Sequence, residues 1–208
     1  MTRLLIAIAA AAGCAAAPAQ AQGNGTQARV LDALAGSTLT IRGSTTVGAR
    51  WHCRSDGMQS RVAIADDLSP TAAIPEVRGV TVYVAVSALR CQSGPMERAM
   101  RHALRADRDT AAQHIIGRFE VPDTIPVVHP NEAHLVGGLR VAAVERGVFL
   151  HASVMPEPDG TLRVRSQIPL TLSQFRIEAP RVLFGAIRAR DAISVEVDLR
   201  FPAPPSDN

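Results

Sequence analysis

The chain contains no lysine: every one of its 22 basic residues is arginine. That absence removes Schiff-base chemistry, the phosphate-loop lysine of nucleotide-binding folds and a serine–lysine nucleophile pair. Aromatic side chains are scarce as well, with one Trp, one Tyr and five Phe, so few rings are available to plug an interior. No Gly-x-Ser-x-Gly elbow occurs, which leaves an α/β-hydrolase nucleophile without support. Charge of one sign is missing too. The 22 basic and 19 acidic residues leave a net +3, and removal of Arg3 with a leader would leave 21 against 19, or +2. Such a balance supplies no field for nucleic acid.

Long hydrophobic runs are also wanting. The apolar stretch from Leu4 to Ala12 is far too short for a bilayer. Small residues follow it and end in Ala19-Gln20-Ala21, so residues 1–21 read as a secretory signal peptide with Gln22 as the mature start. A rival reading takes Ala11-Ala12-Gly13-Cys14 as a lipoprotein box that would lipidate Cys14. An alanine where leucine is usual weighs against it. Periplasmic or secreted location is the expectation, with no transmembrane span in the mature chain.

Of the three cysteines, Cys53 and Cys91 remain after the leader. An even pair in an exported chain defaults to a disulfide, and closing a loop of that length stabilises by up to about 4 kcal/mol in the chain-entropy model. The stretch Trp51-His52-Cys53 places the only Trp beside a His and a Cys. A metal or redox site there would need further converging ligands, so a structural staple is favoured, with Trp51 in the core on the opposite pleat from His52.

What the chain does have is period-two alternation. Ile193, Val195, Val197, Leu199 and Phe201 point one way while Ser194, Glu196, Asp198 and Arg200 point the other, which describes a strand with one buried face. Val80, Val82, Val84 and Val86 repeat the pattern within a strand expected to run to Leu89. Further strands are expected over Ser37 to Arg42, Val47 to Ser55, Ser60 to Ala65, His114 to Val121, Gly138 to Val144, Val148 to Met155 and Thr161 to Thr171. Glu145-Arg146-Gly147 and Pro156 to Gly160 read as hairpin turns between neighbours, and Asp56-Gly57 joins the two strands on either side of it. Met96, Ala99, Met100, Ala103 and Leu104 recur at helical spacing after Pro95, predicting one short helix. The expected organisation is a leader (1–21), an N-terminal extension (22–36), one barrel domain (37–201) and a disordered tail (202–208), with a Pro-rich loop from Asp123 to Asn131. Eight or nine strands suffice to close an up-and-down barrel.

Two stretches resemble a known family. Gly138-Leu-Arg-Val-Ala-Ala-Val-Glu-Arg-Gly-Val-Phe-Leu150 is similar to the G-x-L-T-I-x-G-V-T-K/R-x-V-x-L segment of YceI-like, or polyisoprenoid-binding, exported proteins. Leu170 to Pro180 followed by Asp191 to Leu199 resembles that family's L-x-x-S-D-F-G-I-x-x-P and D-x-V-x-I-x-V-x-L ending. Ala143, Glu145, Gln174 and Arg176 stand at its Gly, Thr, Asp and Gly positions, and the family's early Phe-rich segment is missing. The resemblance implies an all-β, antiparallel, eight-stranded (or nearly so) lipocalin-like barrel with one short α-helix, holding an isoprenoid or fatty chain without enzymatic chemistry.

The expected lumen residues are Val82, Val84, Val86, Phe119, Leu139, Val141, Ile193, Val195 and Val197, with Leu150 and Val154 as further candidates. Inward apolar residues either line an open cavity or fill the barrel, and periodicity does not separate the two. A filled barrel would make the chain a structural or envelope-interaction module. Neither a cofactor nor a metal is expected: His129 and His134 flank Glu132 across a Pro-Asn turn and read as surface-loop histidines, not as an H-E-x-x-H pair on a helix. The adjacent Asp66 and Asp67 offer no paired-carboxylate site. Arg98, Arg101, Arg105 and Arg108 on the polar face of the helix could meet lipid phosphates but read first as a solvated face.

Overall fold

The computed structural model describes residues 28–65, 77–122 and 131–203. The leader, Cys14, the Asp66-Asp67 pair, most of the Pro-rich loop with His129, and the last five residues lie outside the described residues. Twelve strands form: β1 (Ala28–Asp32), β2 (Thr38–Thr45), β3 (Arg50–Ser55), β4 (Met58–Ala65), β5 (Val77–Ala85), β6 (Arg90–Cys91), β7 (His114–Glu120), β8 (Glu132–Val141), β9 (Val144–Pro156), β10 (Leu162–Thr171), β11 (Arg181–Val182) and β12 (Ile187–Phe201). Among the described residues there is one α-helix, α1, which spans Gly94–Ala103.

Neighbouring strands pair antiparallel in the order β1-β4-β5-β7-β8-β9-β10-β12-β2-β3-β6. The result is an all-β, curled, up-and-down sheet of lipocalin-like form, as the alternation predicts. Nine strands longer than two residues run from β4 to β3 in that order. Because nine is odd and directions alternate, β3 and β4 run the same way and do not pair with each other. Asp56-Gly57 is therefore a corner between the two ends of the sheet, not the hairpin that its residue types imply.

The chain ties those ends together at several places. β1 pairs with β4 from the segment expected to be an extension, so part of residues 22–36 belongs to the sheet. Just beyond it, the Ala33 N–H donates to Ser60 O (2.8 Å) on β4 and the Leu34 N–H to Arg200 O (2.7 Å) on β12. At the other flank β6 pairs with β3, and Cys53 and Cys91, directly opposite in that register, form the expected disulfide. With the cysteines 38 positions apart in sequence, loop closure is worth about 4 kcal/mol.

Other boundaries shift for physical reasons. β5 stops at Ala85, and Val86 begins a 3-10 turn through Ala88 that carries the chain across to β6. The β8–β9 turn falls at Ala142-Ala143, with φ of 47° and 62°; Glu145, Arg146 and Gly147 are inside β9 and pair with Arg140, Leu139 and Gly138. A two-residue turn with both central φ values positive is the primed type whose twist suits a hairpin, and it normally selects Asn-Gly. Two alanines hide it.

The interior is one continuous apolar cluster, running from Leu31 through Val62, Val84, Leu135 and Leu199 to Phe201. Trp51 belongs to it. The indole lies against Gly43 on β2, where any Cβ would collide with the ring, and its Nε1 donates to Ser44 O at 3.2 Å. His52, on the opposite pleat, is exposed. α1 follows the capping rules: Ser93 Oγ accepts from the Met96 N–H, Pro95 sits in the first turn, and Met96 and Met100 are buried. On the outside, Arg163 donates to both oxygens of Asp198 at 2.8 and 2.7 Å, clasping β10 to β12.

Candidate functional site

A cavity of about 90 Å³ lies inside the curled sheet. Its wall draws on β2, β5, β7, β8, β9, β10 and β12, on Met100 and Leu104 of the helical segment, and on Leu172, Phe175 and Ile177. Among the described residues Ser166 is the only polar side chain in that wall and no titratable group lines it. What the wall presents is contact with hydrocarbon.

Eight of the eleven expected lumen residues line this space: Val82, Phe119, Leu139, Val141, Leu150, Ile193, Val195 and Val197. Val84, Val86 and Val154 do not, although each is buried. Val84 pairs with Met58 on one side and Ile115 on the other, close to where β5 gives way to the 3-10 turn that contains Val86. Val154 faces Val164, and only the latter reaches the cavity. Alternation predicts which way a side chain points, not whether anything fills the space before it.

Beside the cavity the sheet parts between β9 and β10. Their ladder covers only Leu162 to Ser166 opposite Pro156 to Ala152, so the first half of β9 pairs with β8 alone and the last half of β10 with β12 alone. Pro169 lacks the N–H that a two-sided ladder would require. The 3-10 turn Ser173–Phe175 closes this side, with Phe175 buried. Arg146 Nε on β9 donates to Gln174 O at 2.7 Å and holds the turn from across the gap. Asp191 holds it from below, accepting from the Ser173 hydroxyl (2.6 Å) and N–H (2.8 Å). Those two donors, the hydroxyl first, keep the Asp191 carboxyl below the usual carboxylate range. Arg176 ends the turn at φ 56°, a conformation open at little cost only to glycine, the residue of the family pattern at that place.

Sequence reasoning missed this plug, and the L-x-x-S-x-F pattern was its one available signal. It also misplaced His134. Glu132 and His134 lie on β8, not in a loop, and His134 pairs directly with His151 of β9. On the rim, Arg101 pairs with Glu97 at 2.8 Å and donates to Ser87 O, so it is part of the local structure and not a free phosphate contact.

No protein-family model matches the sequence, and a search of curated proteins finds no match either. Solved structures match it in shape. A polyisoprenoid binding domain from Saccharophagus degradans aligns with a TM-score of 0.60 and 13% identity, over 86% of this chain and 100% of that one. BcnA from Burkholderia cenocepacia aligns with a TM-score of 0.56 and 10% identity, over 79% and 94%. The YCEI protein of Campylobacter jejuni aligns with a TM-score of 0.53 and 12% identity, over 74% and 85%. Likeness at such identity is a likeness of fold: the chain has the YceI-like fold.

Proposed function

We propose that the protein binds a single apolar chain, of isoprenoid or acyl type, in the lumen, and that it does so outside the cytoplasm without catalysing a reaction on it. The observation that carries the reading is the wall itself: one enclosed space with Ser166, among the described residues, as its only polar side chain. The polyisoprenoid binding of the Saccharophagus neighbour supports the ligand class. The Cys53–Cys91 bond and the leader-like first 21 residues support an oxidising, exported setting.

Binding would come from burying methylene groups, at roughly 0.8 kcal/mol each. The space of about 90 Å³ is smaller than the ~150 Å³ that admits benzene in an engineered core, so a long chain must displace part of the wall. The parted β9–β10 seam is where that costs least, because no ladder bond is broken there. Phe175 and Leu172 swing aside on the turn that Asp191 and Arg146 hold, and the chain enters between Leu150 and Ile168.

The small size of the cavity favours a second reading, a filled barrel that serves as a structural or envelope-interaction module. Native mass spectrometry of protein purified from its own host separates them. Carriage predicts a co-purifying hydrocarbon-chain lipid and displacement of a fluorescent fatty acid. Bare protein that also ignores the fluorescent probe would overturn it in favour of the filled barrel.

A further inference from the structure

We propose that Glu132, His134 and His151 form a binding site for one zinc-type divalent ion on the outer face of the sheet, separate from the lumen. The inference goes beyond apolar-ligand binding and does not depend on it. Register brings the three together: Glu132 and His134 are two apart on β8 and so share its outer face, and His151 stands directly opposite His134 on β9. One donor atom from each lies within 4.8 Å of the others.

The contacts suit an ion. His151 Nε2 and Glu132 Oε2 are 3.3 Å apart, close to the roughly 3.4 Å between ligands of a tetrahedral ion with bonds near 2.1 Å. The His134 and His151 rings stack with centroids 4.9 Å apart, and Phe149 stacks on the far side of His134 at 5.7 Å. His134 Nδ1 is buried and has no hydrogen-bond partner. An orphaned ring nitrogen is costly, and ligation of the ion through that nitrogen would supply the partner it lacks.

The donor set selects the ion. Two imidazoles and a carboxylate are the His₂Glu set of zinc centres, and they leave one tetrahedral position for water or an external ligand. All three donors stand on paired strands and not on loops, so the backbone is already in place and only side-chain torsions need to close the remaining gap. The ion would bridge β8 to β9 at Leu135 and Leu150, whose side chains point to the opposite face and line the cavity.

The test is equilibrium dialysis of tag-free protein, stripped with chelator, against Zn²⁺, with Co²⁺ absorption as the report of geometry. The expected result is one ion per chain with visible bands of tetrahedral Co²⁺. His134→Ala and His151→Ala should each weaken binding at least tenfold, and His102→Ala, an exposed histidine elsewhere, should leave it unchanged. Thermal melts verify that each variant is folded, and Glu132→Gln, which preserves shape, keeps the test decisive should an alanine variant unfold. Absence of Zn²⁺ uptake by the wild type, or equal uptake by wild type and the folded Glu132→Gln and His151→Ala variants, would overturn the site.

Discussion

Val84 and Val195 stand in the same kind of place, on the inner face of a strand and at 0% and 9% exposure, yet only Val195 meets empty space. Val84 is laddered between Met58 and Ile115, next to the 3-10 turn that ends β5. Around Val195 the neighbouring β10 has let go of β9. The difference teaches that apolar facing, which both regions share, does not by itself make a lumen. Interior alternation is a property of every barrel strand; whether space remains in front of a given side chain depends on what packs against it.

Removing the disulfide should have the largest effect, and should spare the cavity. Cys53→Ser is expected to lower the unfolding free energy by up to about 4 kcal/mol in a denaturant melt, while fluorescent fatty-acid binding per folded molecule stays unchanged. Loss of binding in still-folded protein would mean that the two regions are not separable.

Loosening the plug should reverse that pattern. Asp191→Ala removes the acceptor of two bonds from Ser173 and is expected to cost roughly 1 kcal/mol while speeding ligand exchange and the hydrogen exchange of the Ser173 amide. Acid should imitate it. The folded carboxyl is depressed, so its contribution is present above the unfolded-state value of about 4 and is lost as pH falls through the folded value. Faster Ser173 exchange below about pH 4 in the wild type, and not in Asp191→Ala, is the expected signature.

The smallest effect concerns the turn beside the seam. Ala143 holds φ 62°, so Ala143→Gly should stabilise by about 1 kcal/mol, seen as a higher melting temperature with ligand binding unaltered. Destabilisation there would show that the alanine methyl contributes packing that outweighs its backbone cost.

Much of the sheet was legible because its inner residues obey a strict period of two: β7 and β10 emerge nearly at their expected bounds, β5 and β12 with their ends shifted by three or four residues, and α1 at its helical spacing. What was not legible lay in non-local pairing. β1 has too few residues to show a period, and whether β3 pairs with β4 depends on the parity of a nine-strand circuit that no local window contains. The misplaced hairpin had the widest consequence. A turn centred on Arg146 sets His134 opposite Pro158 (twice 146 less 134), whereas the observed register, summing to 285 at every pair from Val141↔Val144 outward, sets it opposite His151. Two alanines in a turn that prefers Asn-Gly thus concealed the histidine–glutamate cluster.

The account's central claim is that the space beside Val195 is where an apolar chain binds, and one paired measurement addresses it directly: fluorescent fatty-acid titration and native mass spectrometry of Val195→Trp beside Val84→Trp. The Val195 variant should fold with little loss, its indole occupying the cavity, and should lose both the co-purifying lipid and probe binding. The Val84 variant overpacks a region outside the cavity wall, should lose roughly 1 to 3 kcal/mol, and should retain binding in the molecules that fold. Undiminished lipid and probe binding by folded Val195→Trp protein would contradict the claim.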